Sequence, residues 1–378
     1  MGINWKPVET RFRTLRELTR ILAAFLTQHL RYRRALPPDF HPRKILVIKL
    51  DHLGDVLLAT PVFTNLRRTY PKAEIHALVG GWSVPVLRNC PDIDRLIPYN
   101  APFFCRDTQS ATPIERLRLF KALRQARYEL VVDLRTDWLT IVFALFGNAR
   151  YRLDLATLQV LSKLGRFQFS GEHEVERNLD LLRYAQIETS PCTPRFYTTS
   201  TDEKKVDALF EALGVRQDTA LVAIHPGSPV ALKRWRAERF AAVADWLVAH
   251  RSARVVFVGT TAESPTVATV QKQMRYPSEN LAGKTTFSEL AEVLRRCALF
   301  IGNDSGPMHL AAAVGTQTVG LYGPGNPARF GPVGTHCWTI RQEQNCPPCM
   351  SETCKFGGEG CMKEIEVADV IQVVGKLL

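Results

Sequence analysis

The sequence predicts an α/β protein built from two doubly wound, mostly parallel sheets, one in each half of the chain. Short apolar runs of strand length alternate with helix-length stretches. The alternation pauses at a Thr-, Ser- and Pro-rich segment, residues 190–204, and then restarts. Strands separated by helices pair in parallel through crossovers, which gives the doubly wound arrangement. A length of 378 residues suits two domains, each burying its own core. With 46% hydrophobic and 23% charged residues, collagen-like, coiled-coil and wholly disordered chains are excluded.

In the first half, Lys44–Lys49 is an apolar run of the kind buried on both faces of a parallel sheet, and it leads into Asp51–Asp55. A helical stretch follows from Val56 to Thr69. Then come strand 74–79, helix 83–89, strand 95–98, helix 113–127, strand 130–134 and helix 139–146. The second half reads as strand 220–225, helix 237–250, strand 254–259, helices 265–274 and 287–296, strand 299–302, helix 308–314 and strand 318–322. No internal repeat is visible. Two Rossmann-like halves of this kind place a cleft at the facing carboxyl ends of their sheets. The expected division is a basic extension, 1–43, domains 44–195 and 196–345, and a cysteine-rich tail with a C-terminal helix, 346–378.

Lys and Arg number 49 against 37 Asp and Glu, a net charge of +12, so an anionic partner is expected. The excess concentrates at the start, where residues 1–44 hold ten basic and three acidic side chains. Leu15, Leu18, Leu22, Phe25 and Leu26 recur there at helical spacing. Such a basic amphipathic helix lies on an anionic leaflet or docks on the protein's own core. No apolar run reaches the roughly 18 residues of a membrane span, and the start lacks a signal-peptide core. The expected location is the cytoplasm, peripheral to the inner membrane.

Nine cysteines in a cytosolic chain point to thiols or metal ligands rather than disulfides. Cys346, Cys349, Cys354 and Cys361 crowd into sixteen positions and are candidate ligands for a structural zinc or iron ion, or else reduced or redox-sensitive thiols.

Four turns are candidate chemistry. At Leu53-Gly54-Asp55-Val56, Gly54 permits a sharp turn, and Asp55 is either a general base toward a substrate hydroxyl or the N-cap of the following helix. At His225-Pro226-Gly227-Ser228 the Gly227 and Ser228 N–H groups, the Ser228 hydroxyl and the nearby Lys233 form a phosphate grip, while Trp235 reads as packing. At Gly302–His309 the Asp304, Ser305 and Gly306 amides open a helix toward a pyrophosphate, with His309 on its first turn; a capped helix with a satisfied histidine is the alternative. Gly323–Ala328 matches G-x-G-x-x-A, but its prolines mark it as a loop.

These blocks, in this order, resemble the glycosyltransferase family that contains the ADP-heptose:lipopolysaccharide heptosyltransferases. The matching stretches are 45–61 with Gly54-Asp55, His173-Glu174-Val175-Glu176-Arg177-Asn178, 225–235, Gly283-Lys284-Thr285 and above all 302–313. The resemblance implies a GT-B architecture with the acceptor in the first domain and an ADP-sugar in the second. It implies an inverting transfer that requires no cofactor, from ADP-heptose to an anionic glycolipid, the lipopolysaccharide inner core. Asp55 matches the proposed base, Lys233 a lysine on the donor phosphates, and Asp304, Ser305, Gly306 and His309 the donor loop. Glu263 matches, more loosely spaced, the acid that holds the ribose. Ser305 departs from a threonine in several members and keeps the hydroxyl. The alternatives are another nucleotide sugar or a protein acceptor on the same fold, or a basic, cysteine-clustered nucleic-acid binder; the resemblance favours no nucleic-acid partner.

Overall fold

A computed structural model describes residues 36–101, 110–135, 138–147, 149–216, 219–342, 346–355 and 360–378. The basic helix expected within 1–43 lies, up to residue 35, outside the described residues. The chain divides between Cys192 and Thr193 into two compact units. Among the described residues no helix is long and apolar enough to cross a membrane.

The first unit holds β1 (Lys44–Lys49), α1 (Leu53–Leu57), α2 (Thr60–Thr69), β2 (Glu74–Val79), α3 (Val84–Leu87), β3 (Arg95–Pro98), α4 (Pro113–Ala126), β4 (Leu130–Asp133), α5 (Trp138–Phe146), β5 (Tyr151–Asp154), α6 (Leu155–Lys163) and α7 (Glu174–Tyr184). The strands form one sheet in the order β3-β2-β1-β4-β5. Every pairing is parallel. The single helix expected over 56–69 is two. Pro61 at the second position of α2 has no N–H to continue the ladder, and the Thr60 hydroxyl bonds the Leu57 carbonyl at 2.7 Å instead. Leu46, Ile48, Val131 and Phe143 lie in one buried cluster of this unit.

The second unit holds α8 (Ser200–Ala212), β6 (Leu221–His225), α9 (Ala237–Arg251), β7 (Arg254–Phe257), α10 (Ser264–Gln271), β8 (Glu279–Asn280), α11 (Phe287–Arg295), β9 (Leu299–Asn303), α12 (Gly306–Ala313), β10 (Gln317–Leu321), α13 (Pro327–Phe330), β11 (Cys337–Ile340) and α14 (Val367–Val374). Its sheet runs β11-β10-β9-β6-β7-β8, again parallel throughout. The end of the Thr/Ser-rich segment is a helix start: Thr199 caps α8 in a reciprocal box with Asp202. Pro327 likewise opens a one-turn helix where a loop is expected. It occupies the first helical turn, where its missing N–H costs nothing, and Asn326 caps Arg329. Met362, Ile365, Val370 and Val374 pack into the core of this unit, so the end of the cysteine-rich tail is part of the domain.

In each sheet the first strand sits between two oppositely directed series. The chain steps from β1 to β2 and β3 on one side, then returns to β4 and β5 on the other. It repeats this from β6, with β7 and β8 on one side and β9 to β11 on the other. The crevices at the carboxyl ends of β1/β4 and β6/β9 are therefore topological switch points, where open parallel sheets bind ligands.

Candidate active site

The first switch point is a charged knot. Lys49, the last residue of β1, is buried. Its Nζ lies 3.2 Å from Asp51 Oδ2, donates to the Leu134 carbonyl at 3.2 Å and lies 4.0 Å from Glu174 Oε1. From the end of β4, Arg135 donates to the Leu50 carbonyl at 2.6 Å and pairs with Asp51. Trp82 Nε1 and Ser83 Oγ donate to the Asp51 carbonyl at 2.9 and 2.8 Å, fixing the loop.

Asp55 sits in this knot on the first turn of α1. The N-cap is the extended His52, with no side-chain capping bond, so Asp55 is not capping the helix. Burial, then the charge of Asp51, with Glu174 adding, pushes its carboxylate up to about 6, against the pull of Lys49 and Arg135. Asp51 moves the other way: burial would raise it, but Lys49 and Arg135 together hold it low. Gly54 lies inside α1 and is not in the left-handed region, so it does not make the sharp turn expected of it; the chain passes from the extended His52 directly into the helix.

The second switch point gathers a cradle. The register His225↔Gly302 places the ends of β6 and β9 side by side. Asn303, fully buried, donates to the Pro226 and Gly227 carbonyls at 2.9 and 3.2 Å and accepts the Trp235 N–H at 3.1 Å, tying the two turns together. Lys233 Nζ donates to Asp304 Oδ2 at 2.6 Å. His225 Nδ1 lies 3.0 Å from Ser305 Oγ, which donates to the Asn303 carbonyl at 3.0 Å. On its other side, His225 Nε2 lies 3.3 Å from Glu263 Oε1, an ion-pair distance rather than an aligned hydrogen bond.

Glu263 also accepts the Thr260 N–H and hydroxyl at 2.8 and 2.9 Å. Burial pushes this carboxyl up, but His225 and Thr260 together outweigh it and hold it down at about 2. Two glycines permit these approaches. A Cβ on Gly227 would stand 2.1 Å from Glu263 Oε1, and one on Gly325 would stand 2.2 Å from Asp304 Oδ2. Gly227 is thus required by space, and the Gly323–Asn326 loop reaches Asp304. Ser228 is buried and its Oγ accepts the Val230 N–H at 3.3 Å, so its hydroxyl braces the turn. Ser305 caps α12 without a side-chain bond, His309 lies buried on the first turn, and Trp235 is core, its indole bonded to the Ile365 carbonyl.

The four tail cysteines, candidate metal ligands in the sequence, all fall among the described residues. Burial holds the Cys361 thiol above its usual value, with Cys349 and Cys346 adding to it. Among the described residues no group of three or more His, Cys, Asp or Glu side chains is placed to hold a metal ion.

The sequence did not single out Lys49, Asp51, Arg135 and Glu174 around Asp55, or assign roles to His225 and Asn303 in the second cradle. The readable signal was a charged or polar residue ending an apolar strand, as at Lys49, His225 and Asn303.

Two parallel α/β domains, each with titratable side chains at its switch point, are the architecture of GT-B glycosyltransferases. The profile of glycosyltransferase family 9 (heptosyltransferase) matches residues 116–359. The chain is 31% identical to lipopolysaccharide heptosyltransferase 3 of Escherichia coli K12 over 290 residues, 71% of this chain and 79% of that protein. Among solved structures it is similar to a glycosyl transferase family 9 protein of Veillonella parvula, with TM-score 0.77 and 25% identity over 91% of this chain and 98% of that one. It also shares the fold of E. coli ADP-heptose lps heptosyltransferase II, with TM-score 0.68 and 23% identity over 88% and 98%. The chain belongs to glycosyltransferase family 9 and is a glycosyltransferase enzyme, which sets aside the nucleic-acid-binding alternative.

Proposed function

We propose that this enzyme moves a heptose from ADP-heptose to a hydroxyl of the lipopolysaccharide inner core, with inversion at the anomeric carbon. The names of its relatives support the heptosyl group and the acceptor class. The observation that carries the chemistry is Asp55, a carboxylate at a switch point raised to about 6, near the value that serves a general base in neutral conditions.

In this reading the first domain holds the acceptor and the second the donor. Asp55 takes the proton of the acceptor hydroxyl as its oxygen bonds to the anomeric carbon. The bond from that carbon to the diphosphate breaks on the opposite side, and ADP leaves. One displacement gives inversion. Lys233 exchanges its Asp304 partner for the donor phosphates, and the Ser305 and Gly306 amides at the start of α12 meet the same charge. His309 stands behind that turn. Glu263, held ionised, accepts the ribose hydroxyls. These groups supply the leaving-group stabilisation without a divalent ion. The basic segment 1–43 brings the enzyme to the anionic inner leaflet, where a lipid-linked acceptor is presented.

Thermal-shift titration with ADP, UDP, GDP and CMP tests the donor class. ADP alone is expected to raise the melting temperature strongly, and a preference for UDP overturns the assignment. NMR of the product made from ADP-heptose reads the anomeric configuration.

A further inference from the structure

The His173–Asn178 block is one of the stretches that mark the family resemblance, yet it supplies none of the groups assigned above. The fold explains its position. Helix α7 opens at Glu174, with the His173 ring accepting the Val175 N–H at 3.2 Å as its cap. Glu174 is thereby buried beneath the first switch point, 8% exposed, with one carboxylate oxygen 4.0 Å from Lys49 Nζ and the other 4.0 Å from Arg177 Nε.

Lys49 is the hinge of this arrangement. It is 3% exposed and shared between Asp51, from the loop after its own strand, and Glu174, from a helix far along the chain. Burial alone would push the ammonium down, but Asp51, Glu174 and Asp55 together outweigh it and hold Lys49 protonated. The charged groups that bear on Asp55 are Asp51 and Lys49 from β1 and its loop, Arg135 after β4 and Glu174 from α7; His52 acts on Asp51, and Arg177 pairs with Glu174.

We propose that Glu174 is a positioning residue for the transfer: by engaging Lys49 from below, it keeps that ammonium from neutralising Asp55, so the base stays strong enough to take the acceptor proton. The inference rests on the reading of Asp55 as base. Glu174 touches no substrate and acts through Lys49 and by its own like charge. Removing its charge lets Lys49 bear fully on Asp55 and makes a weaker base. Removing the Lys49 charge does the reverse.

The test is the pH dependence of kcat/KM for the full chain, with folding checked by circular dichroism and ADP binding measured alongside. Glu174→Gln is expected to lower the midpoint of the acidic limb by about one pH unit. It should also reduce the plateau rate about threefold, as a weaker base does. Lys49→Met is expected to raise the same midpoint by about one unit. Glu174→Asp, which keeps the charge, restores the wild-type midpoint. ADP affinity is unchanged in all three. If Lys49→Met does not fold because it strands buried carboxylates, the Glu174 pair decides alone; if Glu174→Gln does not fold, Glu174→Ala, which removes the same charge, is read in its place, with the same midpoint shift expected and an unmoved midpoint overturning the proposal.

A rate loss in Glu174→Gln with the midpoint unmoved means a merely structural role and overturns the proposal. That failure is separable from failure of the base assignment, which shows instead as an active Asp55→Ala or a wild-type profile with no limb near pH 6.

Discussion

The two switch points share a topology and differ in electrostatics. Both domains place their first strand between an outward and a returning series, and both put titratable side chains at the carboxyl end of that strand. At β1/β4 the carboxylate of interest is raised to about 6 by burial and by its neighbours Asp51 and Glu174. Beside β6, the carboxylate of Glu263, from the turn after β7, is held at about 2 by His225 and Thr260 despite its burial. One crevice keeps a group that exchanges a proton near neutrality, and the other keeps fixed charges. In the proposed reading, a fold used twice is thus divided between proton transfer and anion binding by the residues that end its strands.

The sharpest way to break this comparison is to remove the proton acceptor. Asp55→Ala is expected to reduce kcat by about 10²- to 10⁴-fold while leaving ADP affinity, measured by calorimetry, within a factor of two or so. Removing the fixed charge on the other side acts differently. Lys233→Ala is expected to cost about 10²- to 10³-fold in kcat/KM, with weaker donor binding as well as slower turnover. A loss of rate without any change in donor binding would place Lys233 outside the cradle.

A smaller effect is expected from Gly227→Ala. The added Cβ meets Glu263 Oε1 at 2.1 Å and must displace it from His225, so kcat/KM for the donor should fall about tenfold to a hundredfold. Acceptor KM should not move. The smallest effect is on stability. The folded-state value of Asp55, about 6, lies above its ordinary 3.8, so the folded chain binds more protons than the unfolded chain between those values. Stability from this group is present at low pH and lost as pH rises through 6. Asp55→Asn should therefore raise the melting temperature by a few degrees at pH 8 and leave it unchanged at pH 4.

The parallel strands at Lys44–Lys49 and Leu221–His225 were legible because burial on both faces requires an unbroken apolar run. Strand β5, Tyr-Arg-Leu-Asp, was not, because its buried Arg152 and Asp154 interrupt the apolar signal with charges that pair only in the folded sheet. Strand β8 has two residues and no pattern to read. Helix α8 was obscured because the Thr199 and Asp202 that cap it also look like linker composition.

At the sites, Lys233 and Asp304 could be named because each lies in a segment that leaves the carboxyl end of a strand, Asp304 directly after β9 and Lys233 further on from β6, and the structure joins them at 2.6 Å. Glu174 could not be placed beside Lys49, because nothing local to α7 says which strand end its first turn meets. The cysteine spacing suggested a ligand set; among the described residues no group of three or more side chains is placed to hold a metal ion, and spacing in sequence does not fix the direction of a thiol.

The most direct measurement is the pH profile of kcat/KM of the wild-type enzyme with ADP-heptose and its acceptor. The expected result is a single acidic limb of unit slope with its midpoint near 6, absent from the residual activity of Asp55→Ala. A profile flat down to pH 5, or a limb that persists unchanged in Asp55→Ala, would contradict the assignment of Asp55 as the group that takes the acceptor's proton.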